Sequence, residues 1–153
     1  MTTIEIAKQV SKMIEMPARA GRMLPKTPKD IETILGLGRG FYVERDGLIV
    51  SFAAYFEWPK YLEIGSVITH DDYRHQGLAK KIVAETLQAA REYSGKPVIA
   101  LTNDESAKLF ESFGFRTKPR KEKLQTSFWE PCKDICVDYG RWPRCNCHLM
   151  ELE

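Results

Sequence analysis

Residues 61–92 read YLEIGSVITHDDYRHQGLAKKIVAETLQAARE, and their pattern decides the fold. Leu62, Ile64, Val67 and Ile68 mark an apolar strand, followed by a short acidic loop. From Gly77 the apolar residues recur at helical spacing, as Leu78, Ile82, Val83, Leu87 and Ala90. Lys80, Lys81, Glu85, Gln88 and Arg91 fall on the other face. Strand and helix are joined by Arg74-His75-Gln76-Gly77-Leu78-Ala79. The first turn of a helix has main-chain N–H groups without helical partners, and its dipole favours negative charge. Gly77 and Ala79 are small enough to let an anion approach that main chain, and Arg74 and His75 add charge and donors. These six residues suggest a pyrophosphate site. The plainer alternative is an ordinary strand-to-helix turn that binds nothing.

Upstream, Asp46-Gly47 separates two apolar runs, a hairpin signal because both turn residues tolerate positive φ. Trp58-Pro59-Lys60 turns the chain again, so 41–45, 48–56 and 61–69 are expected to form an antiparallel meander. Downstream, Val98-Ile99-Ala100-Leu101 reads as a strand buried on both faces. The helix between them makes it parallel to 61–69. Asn103 is placed to cap a further helix, with Asp104 and Glu105 in its first turn, Ala107, Phe110 and Phe113 inward, and Gly114 at its end. Phe115 opens a strand that runs into the basic stretch Arg116–Lys123, and His148–Leu152 is the last strand. Near the N-terminus, Ile6, Val10, Met13 and Ile14 predict a helix closed by Pro17. Thr27-Pro28-Lys29-Asp30 starts a second helix with Ile31, Ile34 and Leu35 inward, ended by Gly36 or Gly38.

The 153 residues fit one domain, 1–153, with a cysteine-rich segment at 128–153. Hydrophobic residues make up 43% and charged residues 29%, the balance of a soluble globular chain. A net charge of +2 is too small to argue for nucleic acid. No apolar run is long enough to span a membrane, and Glu5, Lys8 and Lys12 break any signal-peptide core. The expected location is cytoplasmic.

Arg74-x-x-Gly77-x-Ala79 after an apolar strand resembles the acetyl-CoA signature of the GNAT N-acetyltransferase superfamily, (Arg/Gln)-x-x-Gly-x-(Gly/Ala). Asn103-x-x-x-Ala107-x-x-Phe110-x-x-x-Gly114-Phe115 resembles a second GNAT segment, Asn-x-x-x-Ala-x-x-Tyr-x-x-x-Gly-Phe, in the same order. With the meander, the likeness covers roughly residues 41–118. It implies an α/β (α+β) fold: a mixed, mostly antiparallel sheet flanked by helices, with parallel central strands that splay apart. It also implies acetyl-CoA in the gap. The pantetheine arm would bond the main chain at Val67, Ile68 and Thr69. The pyrophosphate would sit on His75, Gln76, Gly77, Leu78, Ala79 and Lys80, beside Arg74. Asn103 would lie by the arm; Phe110 itself reads either as core or as packing against the arm. Shorter pieces, Gly21 to Lys26, Glu44 to Gly47, Phe128 to Cys132 and Cys145 to Leu149, resemble stand-alone relatives of N-acetylglutamate synthase. Two departures stand out. GNAT chains usually begin with a full strand, and here at most Thr2–Ile6 supply one. The synthase surrounds its substrate carboxylates with basic side chains, and residues 47–59 contain no Lys or Arg, which argues against glutamate itself.

Acetyl transfer to an amine needs a deprotonated nitrogen, a polarised thioester carbonyl and a stabilised leaving thiolate. An ammonium of ordinary pKa near about 10.4 needs a base to take its proton. Glu63 is the first candidate, in an apolar strand eleven residues before Arg74, where histone-acetyltransferase-like GNAT members also carry a glutamate followed by Ile. A solvated strand glutamate is the alternative. His70, at the end of the same strand, is the second candidate, with a plain loop histidine as its alternative. Many GNAT enzymes have a tyrosine at the Phe110 position. Phenylalanine donates no proton, which leaves water, Tyr73 or Tyr139 for the thiolate. Lys26 and Arg22 are candidates for a substrate carboxylate, the first through the Leu-Pro-Lys resemblance; otherwise both are solvated loop cations.

All four cysteines fall within sixteen residues, Cys132-x3-Cys136-x8-Cys145-x-Cys147, followed by His148. Thiolates and an imidazole can hold zinc tetrahedrally; reduced cysteines without metal and a disulfide are the alternatives. The leading reading is an acetyl-CoA-dependent N-acetyltransferase acting on the primary amine of a small molecule, an amino acid or similar metabolite. A protein lysine or N-terminus is an alternative acceptor, favoured by Glu63 and the basic stretch. A non-catalytic acyl-CoA-binding module is the reading from another class, suggested by Phe110 and the cysteine-rich tail. The partner expected is a small amine, not nucleic acid or a membrane, with a homodimer left open.

Overall fold

Three helices begin at reciprocal capping boxes written in the sequence: Thr2 with Glu5, Thr27 with Asp30, and Asn103 with Ser106. In each, the cap side chain accepts from the third residue's N–H while that residue's side chain accepts from the cap's own N–H. The computed structural model describes residues 1–118 and 147–153. Among these, the helices are α1 (Thr3–Arg19), α2 (Pro28–Gly36), α3 (Leu78–Tyr93) and α4 (Asp104–Glu111). The strands are β1 (Gly40–Arg45), β2 (Leu48–Glu57), β3 (Leu62–Thr69), β4 (Val98–Thr102), β5 (Phe115–Thr117) and β6 (His148–Leu152).

The helix expected near the N-terminus is present, capped by Thr2, so Thr2–Ile6 supply no GNAT first strand. One expectation is corrected: Pro17 does not close that helix, which runs two residues further. A proline inside a helix forfeits one hydrogen bond and costs about 3 kcal/mol. Here it sits close to the end, and the buried stripe Ile6, Val10, Ile14 and Ala18 holds the helix to the sheet. The stop comes at Gly21, with φ 73. Gly21 N–H donates to Ala18 O at 3.0 Å and Arg22 N–H to Pro17 O at 3.0 Å, the paired bonds of a Schellman ending. Helix α2 ends likewise, with Gly38 N–H on Leu35 O and Arg39 N–H on Ile34 O.

The six strands form one sheet in the order β1-β2-β3-β4-β6-β5. Asp46 and Gly47 both take positive φ and close the β1–β2 hairpin, and β1, β2 and β3 make the expected antiparallel meander. Strands β3 and β4 are the parallel pair, and β6 runs antiparallel between β4 and β5. This is a mixed α/β fold with helices on both faces. On one face Ile82, Val83, Leu87 and Ala90 of α3 and Phe110 of α4 pack with Leu62, Ile64 and Phe115. On the other, Ile6, Val10 and Ile14 of α1 and Ile31 and Ile34 of α2 pack with Ile49, Phe52 and Ile68. No described helix is long and apolar enough to cross a membrane. Of the basic stretch, Lys118 pairs with Glu153 at 2.9 Å; residues 119–123 lie outside the described residues.

Candidate active site

The parallel pairing of β3 with β4 stops after two pairs, Leu62 with Val98 and Glu63 with Ile99. Beyond them β4 stays with β6 while β3 stays with β2, and a cleft of about 430 Å³ opens between. A bulge in β3 accompanies the split. Phe52 opposes Ile68 but Ala54 opposes Gly65, so three steps along β3 match two along β2, and Ser66 takes φ 53. The extra residue also switches the side-chain phase. Leu62, Ile64 and Val67 belong to the core under α3, whereas Ile68 joins the core under α1. From Ile64 to Thr69 the whole strand lines the cleft, including Val67, Ile68 and Thr69.

The N-terminus of α3 forms the second wall. Gly77 is its N-cap at φ 76 and offers no side-chain cap, and the first turn contains no acidic residue. Lys81 N–H, bonded to Gly77 O at 3.1 Å, is the first to close a helical bond. The N–H groups of Leu78, Ala79 and Lys80 therefore have no partner within the helix. A Cβ on Gly77 would meet no atom within 4 Å, but the left-handed backbone favours glycine there. Free N–H groups, the positive dipole end and a glycine approach fit a phosphate group. Arg74, His75, Gly77, Leu78, Ala79 and Lys80 all line the cleft. Gln76 does not; its Oε1 accepts from Arg45 Nη1 at 2.7 Å.

Helix α4 closes the third side with Ser106, Leu109 and Phe110. Phe110 is 2% exposed and packs edge-on against Phe115, with ring centroids 5.1 Å apart. Asn103 lines the cleft too, with Oδ1 accepting from Ser106 N–H at 2.8 Å. At the mouth stand Pro17 from the end of α1 and Arg22 and Met23 from the α1–α2 connection; Pro17 and Met23 are wall residues that periodicity alone does not disclose. Glu105 lies 3.0 Å from Arg74 and 3.7 Å from Arg22.

Glu63 is not itself a wall residue, but it borders the floor. Its Oε2 stands 3.6 Å from where a Cβ on Gly65 would sit, and Gly65 lines the cleft. Its Oε1 accepts from Trp58 Nε1 at 3.0 Å. The residue as a whole is half-buried, while its carboxylate is enclosed by protein. Burial pushes the carboxyl above the ordinary carboxylate range, and the Trp58 N–H and the Lys26 charge pull it partly back. Lys26 is not a wall residue either; its ammonium lies 4.9 Å from the centroid of the Phe56 ring, on this same flank. His70 stays outside the wall. Its Nδ1 accepts from Asp72 N–H at 3.2 Å, capping the short turn Asp71–Tyr73, and its ring meets Tyr73 edge-on. Tyr73 lines the cleft, whereas Tyr139 lies outside the described residues.

Zinc finds no support among the described residues, where no three His, Cys, Asp or Glu side chains group as a metal site. His148 Nε2 is instead 2.6 Å from Asp104 Oδ1. Cys132, Cys136 and Cys145 lie outside the described residues, and Cys147 lies at their edge.

A sheet split between two parallel strands, with a bare helix N-terminus at the open end, marks a CoA-dependent acetyltransferase. Residues 14–115 match the model of the Acetyltransferase (GNAT) family, and the chain belongs to that family. Membership decides for an enzyme over a non-catalytic module. Among solved structures, Rv2747 from Mycobacterium tuberculosis, in complex with CoA and NLQ, superposes with a TM-score of 0.76 at 20% identity, covering 97% of this chain and 94% of that one. N-acetylglutamate synthase from Neisseria gonorrhoeae, complexed with coenzyme A and N-acetyl-glutamate, gives 0.72 at 20% identity; 94% of this chain covers 32% of the synthase. Diaminobutyrate acetyltransferase EctA from Paenibacillus lautus, with its substrate L-2,4-diaminobutyric acid and coenzyme A, gives 0.60 at 17% identity over 75% of each chain. At such identities the likeness is one of fold. No curated protein sequence matches the chain.

Proposed function

We propose that the protein transfers the acetyl group of acetyl-CoA to the primary amine of a small molecule, an amino acid or similar metabolite, in the cytoplasm. The observation that carries this reading is the pairing of two features on one strand. The second half of β3 borders a phosphate-ready helix end, and its first half presents Glu63 on a flank that also receives Lys26. A carboxylate for the ammonium and a cation for a carboxylate suit an acceptor that has both groups. The synthase and diaminobutyrate enzyme named above support an acceptor of that class.

Acetyl-CoA supplies an acyl group activated as a thioester. On this reading the α3 main chain and Arg74 hold its pyrophosphate, and the main chain of Val67–Thr69 aligns the pantetheine arm. Phe110 packs beneath that arm. Glu63 takes the amine proton as the nitrogen attacks the carbonyl carbon; the C–N bond forms, the C–S bond breaks, and the sulfur leaves as a thiolate that takes up a proton. Of the donors considered for that proton, Tyr73 lines the cleft. Arg22 at the mouth and Lys26 on the flank are the groups assigned to an acceptor carboxylate.

The test is free-thiol release from acetyl-CoA against a panel of amino acids, polyamines, aminoglycosides and peptides. Release with amino acids is expected. Release with peptides alone moves the acceptor to a protein lysine or N-terminus.

A further inference from the structure

Trp58 stands at the end of β2, in the turn that leads to β3, and nothing so far gives it a task. Three restraints fix that turn. Trp58 N–H donates to Tyr61 O at 2.8 Å. The Trp58 carbonyl accepts from Lys96 Nζ at 3.0 Å, and the same ammonium holds Glu57 at 2.9 Å. The Trp58 side chain packs against the small apolar cluster of Ile99 on β4 and Leu149 on β6. From this clamped position the indole N–H reaches Glu63 Oε1 at 3.0 Å.

We infer that Trp58 is a positioning residue that fixes the Glu63 carboxylate for proton abstraction, an assignment resting on the reading of Glu63 as the base. One carboxylate oxygen is engaged by the indole, and the other is the one beside Gly65 at the cleft floor. A glutamate has three rotatable side-chain bonds, and a rigid donor on one oxygen selects the arrangement that leaves the other toward the acceptor. The chemistry of the donor matters as much as its place. An arginine here would form an ion pair and depress the basicity of the carboxylate. A neutral indole orients it without supplying charge. The charges on the surrounding elements agree with this. Lys26 faces Glu63 from the α1–α2 connection, Lys96 is paired with Glu57, and the β4 residue opposite Glu63 is the apolar Ile99.

The first measurement uses the unmodified protein, observing the Trp58 indole proton and the Glu63 carboxyl carbon by NMR through a pH titration. The two signals are expected to move with one shared midpoint, and the indole titration is expected to vanish in Glu63→Gln. The second compares pH–rate profiles of the wild type and Trp58→Phe. Loss of a donor to the charged form raises the midpoint of Glu63, so the acid limb should move to higher pH. Turnover at neutral pH should fall on the order of tenfold and return in part at high pH. The affinity for acetyl-CoA should not change. If Trp58→Phe fails to fold, benzothienylalanine at position 58 keeps the ring shape without the N–H and takes its place. An indole that ignores Glu63, a profile identical to wild type, or a loss equal at every pH overturns the inference. A wild type that acetylates no amine overturns the catalytic reading instead, and is distinguished because the shared titration still appears.

Discussion

The Glu105 carboxylate lies 3.0 Å from the Arg74 guanidinium, an internal anion held against the residue assigned to the phosphates. Its other oxygen is 3.7 Å from Arg22 on the opposite lip of the cleft. All three side chains are well exposed, so the ion pairs are weak and screened by salt. Glu105→Gln removes a competitor for an incoming phosphate. Calorimetry at low salt should show acetyl-CoA binding tightened by roughly two- to fivefold, a gain that fades as salt is added.

Glu63 links activity to stability in opposite directions. Its carboxyl is raised in the folded protein by burial, so the native state holds a proton that the unfolded chain has already released. Stability from this group is therefore complete below the ordinary carboxylate pKa and is lost as pH rises through the raised value. Glu63→Gln keeps the acceptor for Trp58 Nε1 and cannot ionise. Its melting temperature should exceed that of wild type at neutral pH, and the difference should close in acid. Turnover at neutral pH should fall on the order of 10²–10⁴, with much of the loss returning at high pH, where the acceptor arrives deprotonated. Wild-type turnover in Glu63→Gln, with chemistry limiting, would pass the role to His70 or to solution deprotonation.

Gly77→Trp places a large side chain at the bare end of α3, where the backbone is already left-handed. Acetyl-CoA binding should disappear in calorimetry while the circular dichroism of the folded protein persists. Gly77→Ala should bind more weakly by a smaller margin, since a Cβ at positive φ costs roughly 1–2 kcal/mol. Unchanged affinity in both would move the phosphates elsewhere.

Asn103 separates a cap from a ligand. Its Oδ1 is engaged by Ser106 N–H and Oγ, at 2.8 and 3.1 Å. Asn103→Ala should lower stability by about 1 kcal/mol in denaturant unfolding. Acetyl-CoA affinity should fall by less than threefold if capping is its main task; a tenfold loss would make it a direct ligand.

Elements with local causes were legible in the sequence. Thr27 with Asp30, Asp46 with Gly47, and Asn103 with the first turn of α4 each act within a few residues, and each lies where expected. The parallel partnership of β3 and β4 followed from the helix between them. What escaped depends on contacts distant in the chain or on backbone that no side chain announces. Ser66 takes a positive φ with nothing in its residue type to mark it. Pro17 reads as a stop, yet the ending is made four residues later by Gly21. The helix near the N-terminus was legible from Ile6, Val10 and Ile14, while its reciprocal cap at Thr2 and Glu5, also present in the sequence, went unread. The meeting of Trp58 with Glu63 required the strand to follow its turn.

The two-pair limit between β3 and β4 leaves an unzipped seam in the middle of a sheet. Most proteins keep such unpaired margins at the periphery and blunt them, because a bare strand invites another chain. Here the seam is interior, and the start of α3 and one side of α4 line the cleft that opens along it. On the proposed function, the pantetheine arm is that missing strand. The protein would then be most vulnerable to aggregation when starved of CoA, and cellular CoA would act on it as a folding partner as well as a reagent.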